Sequence, residues 1–405
     1  MTRTSERSLL LLLATVQFTH IMDFMIMMPL GPQLMRNLEI GPGSFSALVS
    51  AYTISAGVIG LCAAPFIDRY DRRRLLLFNY AGFALGTLTC AFSHTAGQLL
   101  VARAVCGGFG GVSGATIMAI VSDIVPPTRR GAAMGLIMTA FSVAAALGVP
   151  FGLYLAREYV WEAPFFLLAG LSAVIWGLIF AVLPPVRGHL ASLPRERFGA
   201  FLELLRDANA GRALVFMASL IVGHFMIIPL LSPHLVHNVG LPEKNLFLVY
   251  FVGGVCSVFS APLVGRLADR LGLVRVFTAL AVIACVVVTL LANAGHLPVW
   301  AVLALAGMFF MFASGRFVPG QAIMSLAVPP SHRGAFMSLT SCTRDLAAGL
   351  TSSFGGWVVT ESPTTGRLLH FDVLGWVAVA AGILSVWLVR RVRVVEKGPV
   401  AVDPI

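Results

Sequence analysis

Seven ionisable side chains fall inside long apolar runs of this chain: His20, Asp23, Arg103, His224, Arg316, and the adjacent Arg344 and Asp345. In hydrocarbon each strong charge costs about 2.5–3.5 kcal/mol on insertion scales, so the five strong ones, unpaired, would cost on the order of 15 kcal/mol. Pairing or a water-filled cavity is therefore expected. The chemistry that suits such groups is proton movement and recognition of charge. Asp23 reads as lying near the middle of its run, with His20 one turn away on the same face. A carboxylate there can take a proton from one side of a membrane and release it to the other. Arg103 is a candidate counter-ion, and a permanent Asp23–Arg103 pair that only holds helices together is the competing reading. An offset of 201 residues places His224 opposite Asp23, although a packing histidine is an equal alternative. Arg344 and Asp345 point roughly 100° apart on a helix, so they are not expected to form one neat pair. Arg316 and Arg344 could each bind an anionic group, which argues against a purely cationic substrate. Met27 lies beside Asp23 among several methionines, which suit a pocket for varied shapes, or ordinary packing.

The elements that must position these residues are membrane spans. The chain is 58% hydrophobic and 11% charged, against about 25% charged in soluble globular proteins. Apolar runs long enough to cross a bilayer lie near 9–34, 44–66, 75–93, 98–123, 131–155 and 163–184. A second set lies near 211–236, 246–267, 275–294, 299–327, 334–358 and 371–390. The halves repeat. Val125-Pro126-Pro127-Thr128-Arg129-Arg130-Gly131-Ala132 returns as Val328-Pro329-Pro330-Ser331-His332-Arg333-Gly334-Ala335, and Asp68-Arg69 returns as Asp269-Arg270. The expected organisation is a six-helix bundle over 1–184, a linker over 185–210 with a short amphipathic helix, a second bundle over 211–395 and a tail over 396–405.

Basic residues set the orientation. With both termini inside, the inner loops hold Arg69, Arg72–Arg74, Arg129, Arg130, Arg187, Arg195, Arg197, Arg206, Arg212, Arg266, Arg270, Arg275 and Arg333, while the outer loops hold Arg36, Arg157, Lys244 and Arg367. The opposite topology would invert this bias. The same residues give the net charge of +10, which suits anionic lipid and, with no basic soluble domain to carry it, not nucleic acid. The six cysteines all fall within spans, and no spacing suggests a disulfide frame or a metal site. No cofactor is expected.

Three motifs resemble the major facilitator superfamily over nearly the whole length. Gly265-Arg266-Leu267-Ala268-Asp269-Arg270-Leu271-Gly272 is close to its loop motif G-x-x-x-D-R-x-G. The first-half copy has Ala64 and Asp71 at the glycine positions. Arg103-Ala104-Val105-Cys106-Gly107-Gly108-Phe109-Gly110 is similar to an R-x-x-x-G-x-G element of proton-coupled members, and Gly148-Val149-Pro150-Phe151-Gly152 looks like a variant of an antiporter motif. The resemblance is to the drug and sugar efflux branch. It implies twelve transmembrane helices in two pseudo-repeats, no enzymatic activity, and proton-coupled efflux of a small amphipathic compound by a monomer in a bacterial inner membrane. Uptake of a sugar or organic anion, or lipid transport, is the alternative within transport. A membrane receptor or enzyme is the alternative outside it.

Physically, Asp68 and Asp269 can accept bonds from free amides of a neighbouring helix. With Arg69, Arg73, Gly265 and Arg270 they would form a latch when the inner side closes, or serve topology alone. Gly148, Pro150 and Gly152 lack bulk, so their span can approach a neighbour closely or bend.

Overall fold

A computed structural model describes residues 3–67, 69–126, 129–187, 190, 203–204, 206–329 and 332–395. Twelve long helical elements run through it. They are α1 (Arg3–Ile26), α2 (Pro42–Ile67), α3 (Arg72–Ala91), α4 (Ala96–Ile124), α5 (Arg130–Val143, Ala144–Gly148 and Val149–Glu158) and α6 (Ala163–Val182). Then follow α7 (Ala208–Phe225), α8 (Leu246–Leu271), α9 (Leu273–Ala292), α10 (Val299–Gly315 and Phe317–Leu326), α11 (Arg333–Val358) and α12 (Phe371–Val389). Ten are long and apolar enough to cross a membrane. The other two are the polar ones. α3 opens on Arg72, Arg73 and Arg74, and α11 carries Arg333, Arg344 and Asp345. The expected linker helix lies mostly outside the described residues.

Prolines punctuate these helices. Pro29 has no amide for the carbonyl of Met25, so α1 stops at Ile26 and a short helix, Gly31–Asn37, resumes after one turn. α7 does the same at Pro229, followed by Leu231–His237. Pro150 leaves the Ala146 carbonyl without its helical donor, and the wide π-turn Ala144–Gly148 takes up the defect. Pro319 does likewise for Gly315, and α10 is interrupted at Arg316. Between α11 and α12 a two-stranded antiparallel hairpin pairs Thr360 with Leu369. Asn238 pins its second strand, donating to Leu368 O and accepting from Leu368 N, both at 2.8 Å.

The two halves meet mainly along α2 and α11, where small residues let backbones touch. Moving from the arginine-poor face inward, an added Cβ would lie 3.1 Å from Gly356 O at Gly43, 2.3 Å from Ser46 at Gly356, 2.4 Å from Ile54 at Gly349 and 2.7 Å from Leu346 at Gly57. At Gly60 the nearest atom, Cys342 Sγ, is 3.5 Å away. The seam therefore loosens toward the arginine-rich face. A second seam joins α5 to α8, where a Cβ at Gly254 would lie 2.5 Å from Ala146 Cα in the π-turn. Arg36 and Glu243 bridge the halves at the arginine-poor face at 2.9 Å. The short helices meet beside them, Gly31 against Pro233. The molecule is thus shut at the arginine-poor face.

Candidate functional site

Asp23 lies in the last turn of α1, three residues from its end rather than mid-span, because Pro29 ends the helix early. Arg103 lies two turns into the antiparallel α4, so the two side chains reach the same depth. Arg103 Nη1 meets Asp23 Oδ2 at 2.7 Å with both side chains fully buried. The same nitrogen donates to the Asp23 carbonyl at 3.2 Å, and Thr87 of α3 donates to Oδ1 at 3.2 Å. The guanidinium lies 4.5 Å from the ring centroid of Tyr52 on α2. Among the described residues its Nε and Nη2 have no hydrogen-bond partner, nor do the Tyr52 hydroxyl and both ring nitrogens of His20. Dry ion pairs of this kind cost much desolvation, and removing one partner is strongly destabilising.

Glycines let the helices close on this pair. A Cβ at Gly107 would lie 2.0 Å from Tyr52 O, one at Gly110 2.4 Å from His20 Nε2, and one at Gly86 2.8 Å from Cys106 Sγ. The glycines following Arg103 thus bring α4 against α2 and α1. Across the halves, α11 brings Arg344 close to α2, where its neighbour Leu346 lies 2.7 Å from the position of a Cβ at Gly57. Arg344 Nε contacts Asp345 Oδ1 at 3.0 Å, and Nη2 donates to Ser341 Oγ at 3.1 Å. This corrects the expectation from helix geometry: adjacent residues diverge at Cβ, but the long arginine side chain folds back to its neighbour.

His224 does not meet Asp23. It stacks on Phe309 with centroids 5.6 Å apart and stands edge-on to Phe317 at 5.4 Å, and its Nδ1 has no partner among the described residues. The repeat offset pairs the two positions in sequence, but among the described residues His224 is surrounded by aromatic rings instead of a charged partner. Phe24 and Phe225, 6.1 Å apart, stand between the two clusters. Arg316 is 2% exposed and donates through Nε to Ala313 O at 3.3 Å. Met27 is wholly buried in the hydrophobic core beside the α1 break, not on a cavity wall.

The latch residues are dispersed. Asp68 lies outside the described residues. Arg69 lies over the Phe66 ring, and Arg73 donates to Phe180 O while stacking on its ring, so both turn to their own half. Asp269 and Arg270 are exposed in the last turn of α8. A Cβ at Gly265 would meet nothing within 4 Å, whereas Gly272 has φ +93°, a left-handed turn that favours glycine. Asp71, which looked like a lost glycine, has ordinary φ and caps α3. Its carboxylate accepts from Arg73 N at 2.9 Å, Val186 N at 3.2 Å and Arg187 Nε at 2.8 Å. Partial burial opposes ionisation there, but Arg187 and the two amides outweigh it and hold Asp71 below the usual carboxylate range. An acidic residue just before an arginine run was the available sequence signal for this cap.

The α5 glycines face α1. A Cβ at Gly148 would lie 3.1 Å from Met22 Sδ, and one at Gly152 2.7 Å from Ile26 Cδ1. Pro150 between them creates the π-turn that presents backbone to Gly254 of α8. The segment therefore touches both halves at once.

Residues 13–352 and 214–404 match the family model of the Major Facilitator Superfamily. The chain belongs to that family. It is a multi-pass membrane transporter, not an enzyme. An uncharacterized MFS-type transporter of Bacillus subtilis (strain 168) is 22% identical over 365 residues, covering 89% of this chain and 91% of the relative. A probable sugar efflux transporter of Helicobacter pylori (strain P12) is 23% identical, covering 89% and 88%. Among solved structures, a D-xylose-proton symporter superposes with TM-score 0.77 at 14% identity, covering 96% of this chain and 98% of the other. A bacterial homologue of the human lysosomal transporter Spinster, in an inward-facing and unoccupied conformation, gives 0.71 at 15% identity, covering 97% and 95%.

Proposed function

We propose that this transporter exports a small amphipathic compound in exchange for protons, by alternating access between its two six-helix bundles, 1–184 and 211–395. The observation that carries this reading is the fully buried Asp23–Arg103 pair. Because both side chains are sealed from bulk solvent, a proton on Asp23 removes the charge that holds Arg103. Protonation is thereby tied to how α1, α3 and α4 pack. His20 and Tyr52 extend the site toward Arg344 on α11, so the change can reach the seam between the halves. The probable sugar efflux relative supports the outward direction. The arginine-rich face is assigned to the cytoplasm of a bacterial inner membrane, with both termini inside, by the bias of basic loops. The conformation described is then inward-facing. The protein acts as a monomer, and membrane lipid meets its basic loops.

The test uses everted vesicles energised to an acid interior, with a fluorescent pH reporter and a panel of amphipathic cations, anions and sugars, for wild type and Asp23→Asn. Collapse of the gradient by one compound in wild type alone supports the reading. Equal collapse in both assigns Asp23 a structural role. Failure of every compound rejects proton-coupled efflux.

A further inference from the structure

Each half buries one arginine of its fourth helix, Arg103 in α4 and Arg316 in α10, and only the first has a carboxylate. Arg316 sits at the interruption of α10, with its guanidinium between α7 and α12. A Cβ at Gly223 would lie 3.1 Å from Arg316 Nη2, and one at Gly382 3.8 Å from Nη1 and 2.6 Å from Cys285 Sγ. The glycines thus make room for the side chain. Among the described residues no acidic group pairs with Arg316, and Nη2 has no hydrogen-bond acceptor. A permanent cation without a counter-charge is a poor choice for helix packing, since an apolar or neutral side chain would serve better. Its neighbourhood adds a second polar atom without a partner among the described residues, His224 Nδ1, and the partly exposed ring of Phe317, while Phe309 is wholly buried beneath the His224 ring.

We propose that Arg316 is an anion subsite within the C-terminal bundle, taking the carboxylate of an aromatic monocarboxylate whose ring lies against Phe317. His224 supplies a neutral hydrogen-bonding group beside it. The assignment rests on the transporter reading above and deepens it by naming the substrate class. The guanidinium suits a carboxylate because its planar fork matches two oxygens. It also fixes the electrical character of transport: exchanging one inward proton for one outward monoanion moves two charges, so the membrane potential drives it as well as the pH gradient.

The experiment measures binding to the purified full-length protein by titration calorimetry, using benzoate and phenylacetate beside their neutral amides. Wild type is expected to bind each acid at least about tenfold more tightly than its amide, the loss typical of a hydrogen-bonded charge. Arg316→Gln is expected to erase that preference, so that acid and amide bind alike. Arg316→Lys is expected to keep the preference with weaker affinity, and it decides the matter should the glutamine variant not fold. Acids and amides binding alike to wild type, or an undiminished preference in either variant, overturns the proposal. Binding without proton exchange in vesicles would instead reject the efflux reading and leave the subsite standing. Proton exchange driven by neutral compounds alone would do the reverse.

Discussion

Replacing Asp23 by asparagine tests the central pair most directly. The side chain keeps its shape and can still accept from Thr87, and the Asp23 carbonyl can still accept from Arg103 Nη1. What disappears is the negative charge 2.7 Å from a guanidinium that has no exposure to solvent. Leaving one charge of a buried pair uncompensated costs about 3–5 kcal/mol. The retained carbonyl bond offsets about 1 kcal/mol of that, so a loss of roughly 2–4 kcal/mol is expected. Adding Arg103→Gln removes the orphaned charge, and a neutral pair of similar volume is often close to neutral for stability. The order of unfolding midpoints in detergent should therefore be wild type, then the double variant close behind, then Asp23→Asn well below. In vesicles neither variant should couple protons. A single variant as stable as wild type would refute the energetic argument, because the pair would then be partly hydrated. A double variant that still exchanges protons would refute the assignment of coupling to this pair.

Gly107→Ala should destabilise the protein by about 1–3 kcal/mol, since its Cβ would fall 2.0 Å from Tyr52 O, backbone against backbone. Gly265→Ala, in the better-kept loop motif, should change stability by less than about 0.5 kcal/mol, because its Cβ meets nothing; thermal midpoints of the two variants decide. The Asp71 carboxyl is held below its ordinary range, so its contribution to stability is fully present above the unfolded value of about 4 and is lost as pH falls through the folded value. Asp71→Asn should remove that part of the acid dependence, and unfolding titrations between pH 5 and 2, about that range, would measure it. Arg36→Gln should cost at most about 1 kcal/mol, because the Arg36–Glu243 pair is 61% and 38% exposed. A larger loss would mean that the arginine-poor face is held shut by this bridge rather than by the glycine seam.

The reading of individual residues succeeded where the physics is local. His20 and Asp23 are one turn apart and do lie on one cluster, as helical spacing requires. That Asp23 needs a counter-ion followed from the cost of a lone charge in hydrocarbon; that Arg103 supplies it was decided by packing. Asp23 was placed too centrally because the run of apolar residues continues past Pro29, and hydropathy does not register a missing amide. Asp71 was passed over because a motif comparison registers a lost glycine, not a gained cap. Arg344 and Asp345 pair through side-chain rotamers that spacing along a helix does not predict.

The sequence alone determined that the chain is a many-helix membrane fold, the approximate helix lengths, the internal repeat and the charge difference between the faces. These follow from bilayer thickness and from the cost of moving arginine through it, which act on each segment separately. The tertiary structure decided which buried charges have partners. Helices that are apolar on every side do not reveal how they are rotated, so no pattern in α4 or α10 shows that Arg103 meets a carboxylate 80 residues away while Arg316 meets none among the described residues. That difference arises from the packing of α1 on α4 and of α7 on α10, set by glycines whose need for contact is visible only once the opposing backbone is in place.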